Sequence, residues 1–89
     1  MEVKIYSIAN CKYCEVLQKI LTDQNIPHEV IRVLRMGEQG EGIPFSEHMK
    51  IAKDLPMIQR CSFPQIYIDG KYTGDIKSTL KYLQQNENK

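Results

Sequence analysis

Residues 3–34 carry two short β-branched runs with a helical stretch between them, and this succession restricts the fold more than any other feature of the chain. Val3-Lys4-Ile5-Tyr6-Ser7-Ile8 reads as a strand, because β-branched and aromatic side chains suit a pleated surface. Ala9-Asn10 forms a short turn, and the period then changes. From Lys12 onward Tyr13, Leu17, Ile20 and Leu21 fall at i, i+4, i+7 and i+8, which gathers them on one face of a helix. That helix is expected to stop near Gln24-Asn25, because Pro27 follows. Residues 29–34 hold Val30, Ile31, Val33 and Leu34 and are expected to form a strand buried on both faces. Two strands joined by a crossover helix of this length lie parallel and form a βαβ unit.

The remainder completes a mixed sheet. Residues 36–44 form a connection rich in glycine (Gly37, Gly40, Gly42). It superficially suggests a phosphate loop, but it lacks the Lys-Ser/Thr pair, and Glu38 and Glu41 would repel phosphate. Ser46 is placed to cap a helix running to about Asp54, with Met49, Ala52 and Leu55 inward and Pro56 limiting it. Residues 65–68 read as a third strand. Asp69-Gly70 is a strong two-residue hairpin sequence, so residues 71–73 should return antiparallel. Gly74 breaks the chain. A last helix is expected from about Asp75, with Ile76, Leu80 and Leu83 on one face, and the polar residues 86–89 should fray. The expected architecture is an α/β fold of one domain, residues 1–89. It has a four-stranded mixed sheet and about three helices in the order β-α-β-α-β-β-α.

Composition narrows the function. Charged residues make up 26% of the 89 and the net charge is +1, so no basic field addresses nucleic acid. The apolar runs are only a few residues long, too short for a bilayer. The acidic, alternating start is unlike a signal peptide, so a cytoplasmic location is expected. A chain this short buries only roughly 60% of its unfolded surface, so its stability margin should be modest. The three cysteines, Cys11, Cys14 and Cys61, are a poor disulfide framework for a secreted domain.

Cys11-Lys12-Tyr13-Cys14 lies where the first strand gives way to the first helix. A thiol at a helix N-terminus meets unpaired backbone N–H groups and the positive end of the helix dipole, and Lys12 adds a nearby cation. All three favour the thiolate, the form that attacks disulfides. Cys14, a turn further in, is placed to attack the resulting mixed disulfide. A zinc site needs four ligands, and only Cys61, His28 and His48 are available as further soft donors. Cys61 reads as an incidental, partly buried thiol beside the Ser62-Phe63-Pro64 step. His28 and His48 read as surface or edge residues. Tyr6, Tyr67, Tyr72 and Tyr82 read as packing residues, with Tyr72 the one nearest the redox pair.

Taken together, Cys11-Lys12-Tyr13-Cys14, then Ser62-Phe63-Pro64-Gln65-Ile66-Tyr67-Ile68-Asp69-Gly70-Lys71, then Gly74 opening a helix, resembles a dithiol glutaredoxin over nearly the whole chain. The resemblance implies the thioredoxin-like fold and catalysis by Cys11 and Cys14. It implies glutathione as co-substrate, no tightly bound cofactor or metal, protein disulfides and glutathione mixed disulfides as substrates, and a monomer. It further implies a cis bond between Phe63 and Pro64. The implied glutathione-binding positions are Lys12, Tyr13, Ser62, Phe63, Pro64, Gly74, Asp75, Ile76 and Lys77. Two departures stand out. Ser7-Ile8-Ala9-Asn10 lacks the Lys that many members carry shortly before the first cysteine. The family's Gly-Gly reads Gly74-Asp75, with Lys77-Ser78 where acidic residues are common. These departures keep two alternatives open: a redoxin reduced by a thioredoxin-reductase-type flavoenzyme, serving a client such as ribonucleotide reductase, and an iron–sulfur carrier, against which Cys14 argues.

Overall fold

A computed structural model describes residues 2–74 and 76–87. Strand β1 (Val3–Ser7) leads through helix α1 (Lys12–Asp23) to β2 (Glu29–Leu34), which pairs parallel with β1 from Lys4↔Glu29 to Ser7↔Arg32. The expected βαβ unit is therefore present. Strand β4 (Gln65–Ile68) lies antiparallel on the other side of β1, and β5 (Lys71–Gly74) folds back on it. Asp69 and Gly70 take φ of +50° and +83°, the paired left-handed geometry of a tight hairpin.

The glycine-rich connection holds an unexpected fifth strand, β3 (Ile43–Pro44), parallel to the end of β2, and the sheet runs β3-β2-β1-β4-β5. Gly42 allows this close approach. At its φ of +148° a Cβ would fall 2.5 Å from the Arg32 carbonyl oxygen. Because β3 covers only Val33 and Leu34, the first part of β2 stays at the sheet's rim. Of β2 only Val33 is buried, and Val30 is 41% exposed. The expectation of a strand buried on both faces is thus corrected.

The expected helix over 46–54 is also corrected. Helix α2 (Phe45–Ile51) begins one residue before Ser46, behind Pro44, with no side-chain cap. Pro56 then starts a separate short helix, α3 (Met57–Arg60), since its fixed φ suits a helix start while its missing N–H prevents continuation. Ala52 is nevertheless buried, as expected. The last helix, α4 (Ile76–Glu87), brings the total among the described residues to four.

The two sheet faces differ in chemistry. Val3 and Ile5 of β1 and Ile66 and Ile68 of β4 point to one face, where Leu17 and Leu21 of α1 and Leu83 of α4 close the main core. Tyr6 and Gln65, next to Ile5 and Ile66 and paired across the two strands, point to the other face under α2. The buried stripe of α1 is Cys14, Leu17 and Leu21, not the one beginning at Tyr13. Tyr13 is 68% exposed, because the smaller cysteine takes the place against the sheet.

Candidate active site

Cys11 is the N-cap of α1, with extended backbone (φ −96°, ψ 104°), and its Sγ accepts the backbone N–H of Cys14 at 3.2 Å. The site follows from the local sequence: Asn10, at φ +60°, turns the chain out of β1, and Cys11 then opens the helix. Cys11 and Cys14 are joined in a disulfide, with their Cα atoms 5.3 Å apart. The two cysteines differ in exposure, since Cys11 is half-buried while Cys14 is 2% exposed. When the pair is reduced, the N–H groups of this first turn and the helix dipole favour negative charge on the Cys11 sulfur.

A groove of about 890 Å³ opens beside the pair. Tyr13, between the two cysteines, forms part of its wall. Ser62, Phe63 and Pro64 form another part, and Gly74, Ile76 and Lys77 a third. Seven of the nine expected glutathione-binding positions are therefore together. Lys12 is exposed and is not part of the lining, and Asp75 lies outside the described residues. The Phe63–Pro64 bond is cis. Sequence reasoning missed Val16, Gln59, Ser78 and Leu80, which also line the groove. Val16 and Leu80 were accessible through spacing, three residues after Tyr13 and four after Ile76, each one turn along the same helix face. Tyr72, singled out in the sequence, lines the groove as well.

One further cation comes from a distant segment. Arg35, just past β2, donates from Nη2 to the Ala9 carbonyl at 3.3 Å, which brings a guanidinium to the turn before Cys11. No local motif marks it, because the parallel pairing of β1 and β2 brings it there.

Two expectations about other residues need correction. His48 is not at the surface: it is fully buried, between the rings of Tyr6 and Phe63, with Nε2 2.8 Å from Gln65 Oε1. Burial pushes its pKa down, and the Gln65 hydrogen bond opposes this. Cys61 is exposed rather than partly buried, at the end of α3, with its sulfur 4.0 Å from that of Met57. His28 is half-buried, its Nδ1 paired with the Ile26 carbonyl at 2.9 Å. The Tyr67 ring meets those of Tyr6 and Tyr72 edge to face, and its hydroxyl has its pKa raised, chiefly by burial.

The model of the glutaredoxin family matches residues 3–73. The chain belongs to the glutaredoxin family. With its Cys11–Cys14 pair it is a thiol–disulfide oxidoreductase. Solved glutaredoxins share its thioredoxin-like fold. Glutaredoxin 1 from Francisella tularensis, complexed with cacodylate, is 22% identical, with a TM-score of 0.66, covering 99% of this chain and 98% of that one. Reduced Escherichia coli glutaredoxin is 19% identical, with a TM-score of 0.64, and both chains are covered in full. The buckwheat glutaredoxin–glutathione complex is 18% identical, with a TM-score of 0.66, covering 94% of this chain and 69% of that one. No curated protein sequence matches this glutaredoxin. Among its described residues, no helix is long and apolar enough to cross a membrane.

Proposed function

We propose that this glutaredoxin uses glutathione to reduce protein disulfides and glutathione mixed disulfides, with Cys11 as nucleophile and Cys14 as resolving thiol. One observation carries the reading: a half-buried N-cap cysteine and its buried partner flank Tyr13, which walls a groove that also takes in the Phe63–Pro64 step and Lys77. The Cys11 thiolate attacks one sulfur of a protein disulfide. A mixed disulfide forms, and the other protein sulfur leaves as a thiolate and takes up a proton. Cys14 loses its proton and attacks Cys11 Sγ, which releases the second protein thiol and closes the Cys11–Cys14 disulfide. Two glutathione thiols then return the pair to the dithiol and become glutathione disulfide, so two electrons pass in all. With a glutathionylated protein, the Cys11 thiolate attacks the glutathionyl sulfur, and the protein thiolate leaves and takes up a proton. A second glutathione thiolate then attacks that glutathionyl sulfur, which releases Cys11 as thiolate and glutathione disulfide as product, bypassing Cys14.

Glutathione is a tripeptide with two carboxylates and one ammonium. The N–H groups opening α4 and the Lys77 ammonium offer one carboxylate a partner. Arg35 offers a cation near the other end, in place of the lysine missing before Cys11. A relative solved with glutathione adds support. Cycling against glutathione requires a reducing compartment, so the cytoplasm is the proposed location. One chain supplies every residue used here, so a monomer suffices.

The decisive assay follows turnover of a glutathione mixed disulfide with two electron sources, glutathione with its reductase and thioredoxin reductase. Turnover with the first alone is expected. Turnover with the second alone would replace this reading by that of a flavoenzyme-reduced redoxin. Alkylation of the reduced protein at about pH 6 should reach Cys11 before Cys14 and Cys61, since only the thiolate reacts. Preferential labelling of Cys14 would reverse the two roles.

A further inference from the structure

The face of the sheet opposite α1 and α4 holds a buried polar pair that the dithiol chemistry does not use. His48 of α2 and Gln65 of β4 are both fully buried, and Gln65 directly follows Pro64 in the groove wall. The side-chain amide of Gln65 donates one hydrogen to the carbonyl of Gln59 at 3.0 Å and the other to that of Arg60 at 2.7 Å. The Gln59 carbonyl also accepts the Ser62 N–H at 3.2 Å, so the amide binds into the last turn of α3. Two carbonyl oxygens can face only the NH2 end of an amide, which fixes its orientation and leaves Oε1 as a pure acceptor. His48 Nε2, 2.8 Å from that oxygen, must therefore carry the hydrogen. Tyr67 adds a longer bond to the same oxygen, at 3.4 Å. The His48 ring is also packed against Phe63, with centroids 5.2 Å apart.

We propose that His48 is a positioning residue for the substrate groove. Its Nε2–H locks the Gln65 amide, the amide holds the end of α3, and its ring backs Phe63, so that the wall from Gln59 to Pro64 is held in one arrangement. The position suits this task. A histidine in the Nε2–H tautomer supplies one donor at ring distance from α2. Its Nδ1 is buried without a hydrogen-bond partner among the described residues, so that atom contributes nothing to the wall. The cost of burying it unpaired is accepted for the donor on the other side of the ring. His48 touches neither sulfur in this account and is not a catalytic residue.

The inference rests on the reading of the groove as the substrate site, and the test separates the two. Steady-state reduction of a glutathionylated peptide is compared for the wild type, His48→Leu, His48→Gln and Phe63→Ala. Loss of one buried hydrogen bond corresponds to about fivefold, so His48→Leu should raise KM about fivefold with kcat little changed. His48→Gln, which carries a donor at nearly the same reach, should recover most of the loss. An unchanged KM in His48→Leu alongside a raised KM in Phe63→Ala overturns the positioning role and leaves the groove reading standing. An unchanged KM in both removes the groove reading, and this inference with it. Should His48→Leu fail to fold, nitrogen chemical shifts of the wild-type imidazole decide. A neutral ring protonated at Nε2 at about pH 7 supports the network, and protonation at Nδ1 overturns it.

Discussion

Thr79→Val tests the joint between β5 and α4. Thr79 is fully buried, and its Oγ1 lies 2.7 Å from Thr73 Oγ1. Thr73 Oγ1 also donates to the Ile66 carbonyl at 3.3 Å. A hydroxyl has one hydrogen, so Thr73 has none left for Thr79, and Thr79 must be the donor between them. Valine keeps the shape and the β-branch but not the hydrogen, so packing and helix propensity change little. The loss is then close to that of one hydrogen bond, about 1 kcal/mol. For a domain of this size that corresponds to a fall in Tm of about 4–8 °C. Urea unfolding followed by circular dichroism should show a lower midpoint at unchanged m, and the Thr73→Val/Thr79→Val cycle should give a coupling of about 1 kcal/mol. The two residues belong to the strand and helix that present Gly74, Ile76 and Lys77 to the groove, so KM for glutathione-linked substrates should rise with the loss of stability. Additive single effects, with a coupling below about 0.3 kcal/mol, would refute the shared hydrogen and the donor assignment with it.

Cys14→Ser should abolish reduction of protein disulfides while retaining much of the deglutathionylation activity, and simultaneous loss of both would contradict resolution by glutathione at Cys11. Lys77→Glu reverses the charge at an exposed position, where an ion pair is worth about 0–1 kcal/mol. A several-fold rise in KM for glutathione-linked substrates is expected, with a small neutral disulfide little affected. An unchanged KM would remove α4 from the glutathione site. Burial holds His48 below its ordinary value of 6.5. The unfolded chain therefore takes up this proton at higher pH than the folded one, so stability is full above about 6.5 and falls below it by up to about 1.4 kcal/mol per pH unit. The urea midpoint measured against pH should show this acid limb, and His48→Leu should flatten it. An acid limb of the same slope in that variant would show that another group titrates.

Where a local rule settled the geometry, the sequence was a reliable guide. Asp69-Gly70 encodes its own turn, the spacing of Leu17 and Leu21 encodes the core face of α1, and Cys11-Lys12-Tyr13-Cys14 between strand and helix encodes the redox pair. The misreadings share a cause, namely dependence on a neighbour far along the chain. Val30 is apolar enough for a core, yet its exposure is set by how short β3 is. Tyr13 fits a helix face by period, but Cys14 has that place because the sheet lies close. His48 looks like a surface histidine until Gln65, 17 residues later, is seen to receive its hydrogen. Arg35 reaches the turn before Cys11 only because β2 lies beside β1. For the groove, likeness to a known family supplied most of the wall, while Val16, Gln59, Ser78 and Leu80 required the packing of α1, α3 and α4.

The shortness of β3 has a consequence for self-association. A sheet rim is a row of unpaired backbone groups on which another chain can be templated, the usual beginning of aggregation by strand addition. Here the outermost strand on one side is two residues long and ends in Pro44, which has no N–H to offer an incoming strand, and only the first part of β2 continues that rim. The opposite rim, β5, is four residues long and lies against α4. Lengthening the outer strand, for example by Pro44→Val, restores a donor to that rim and should make the oxidised protein more prone to sheet-mediated clumping on storage, with the dithiol chemistry intact.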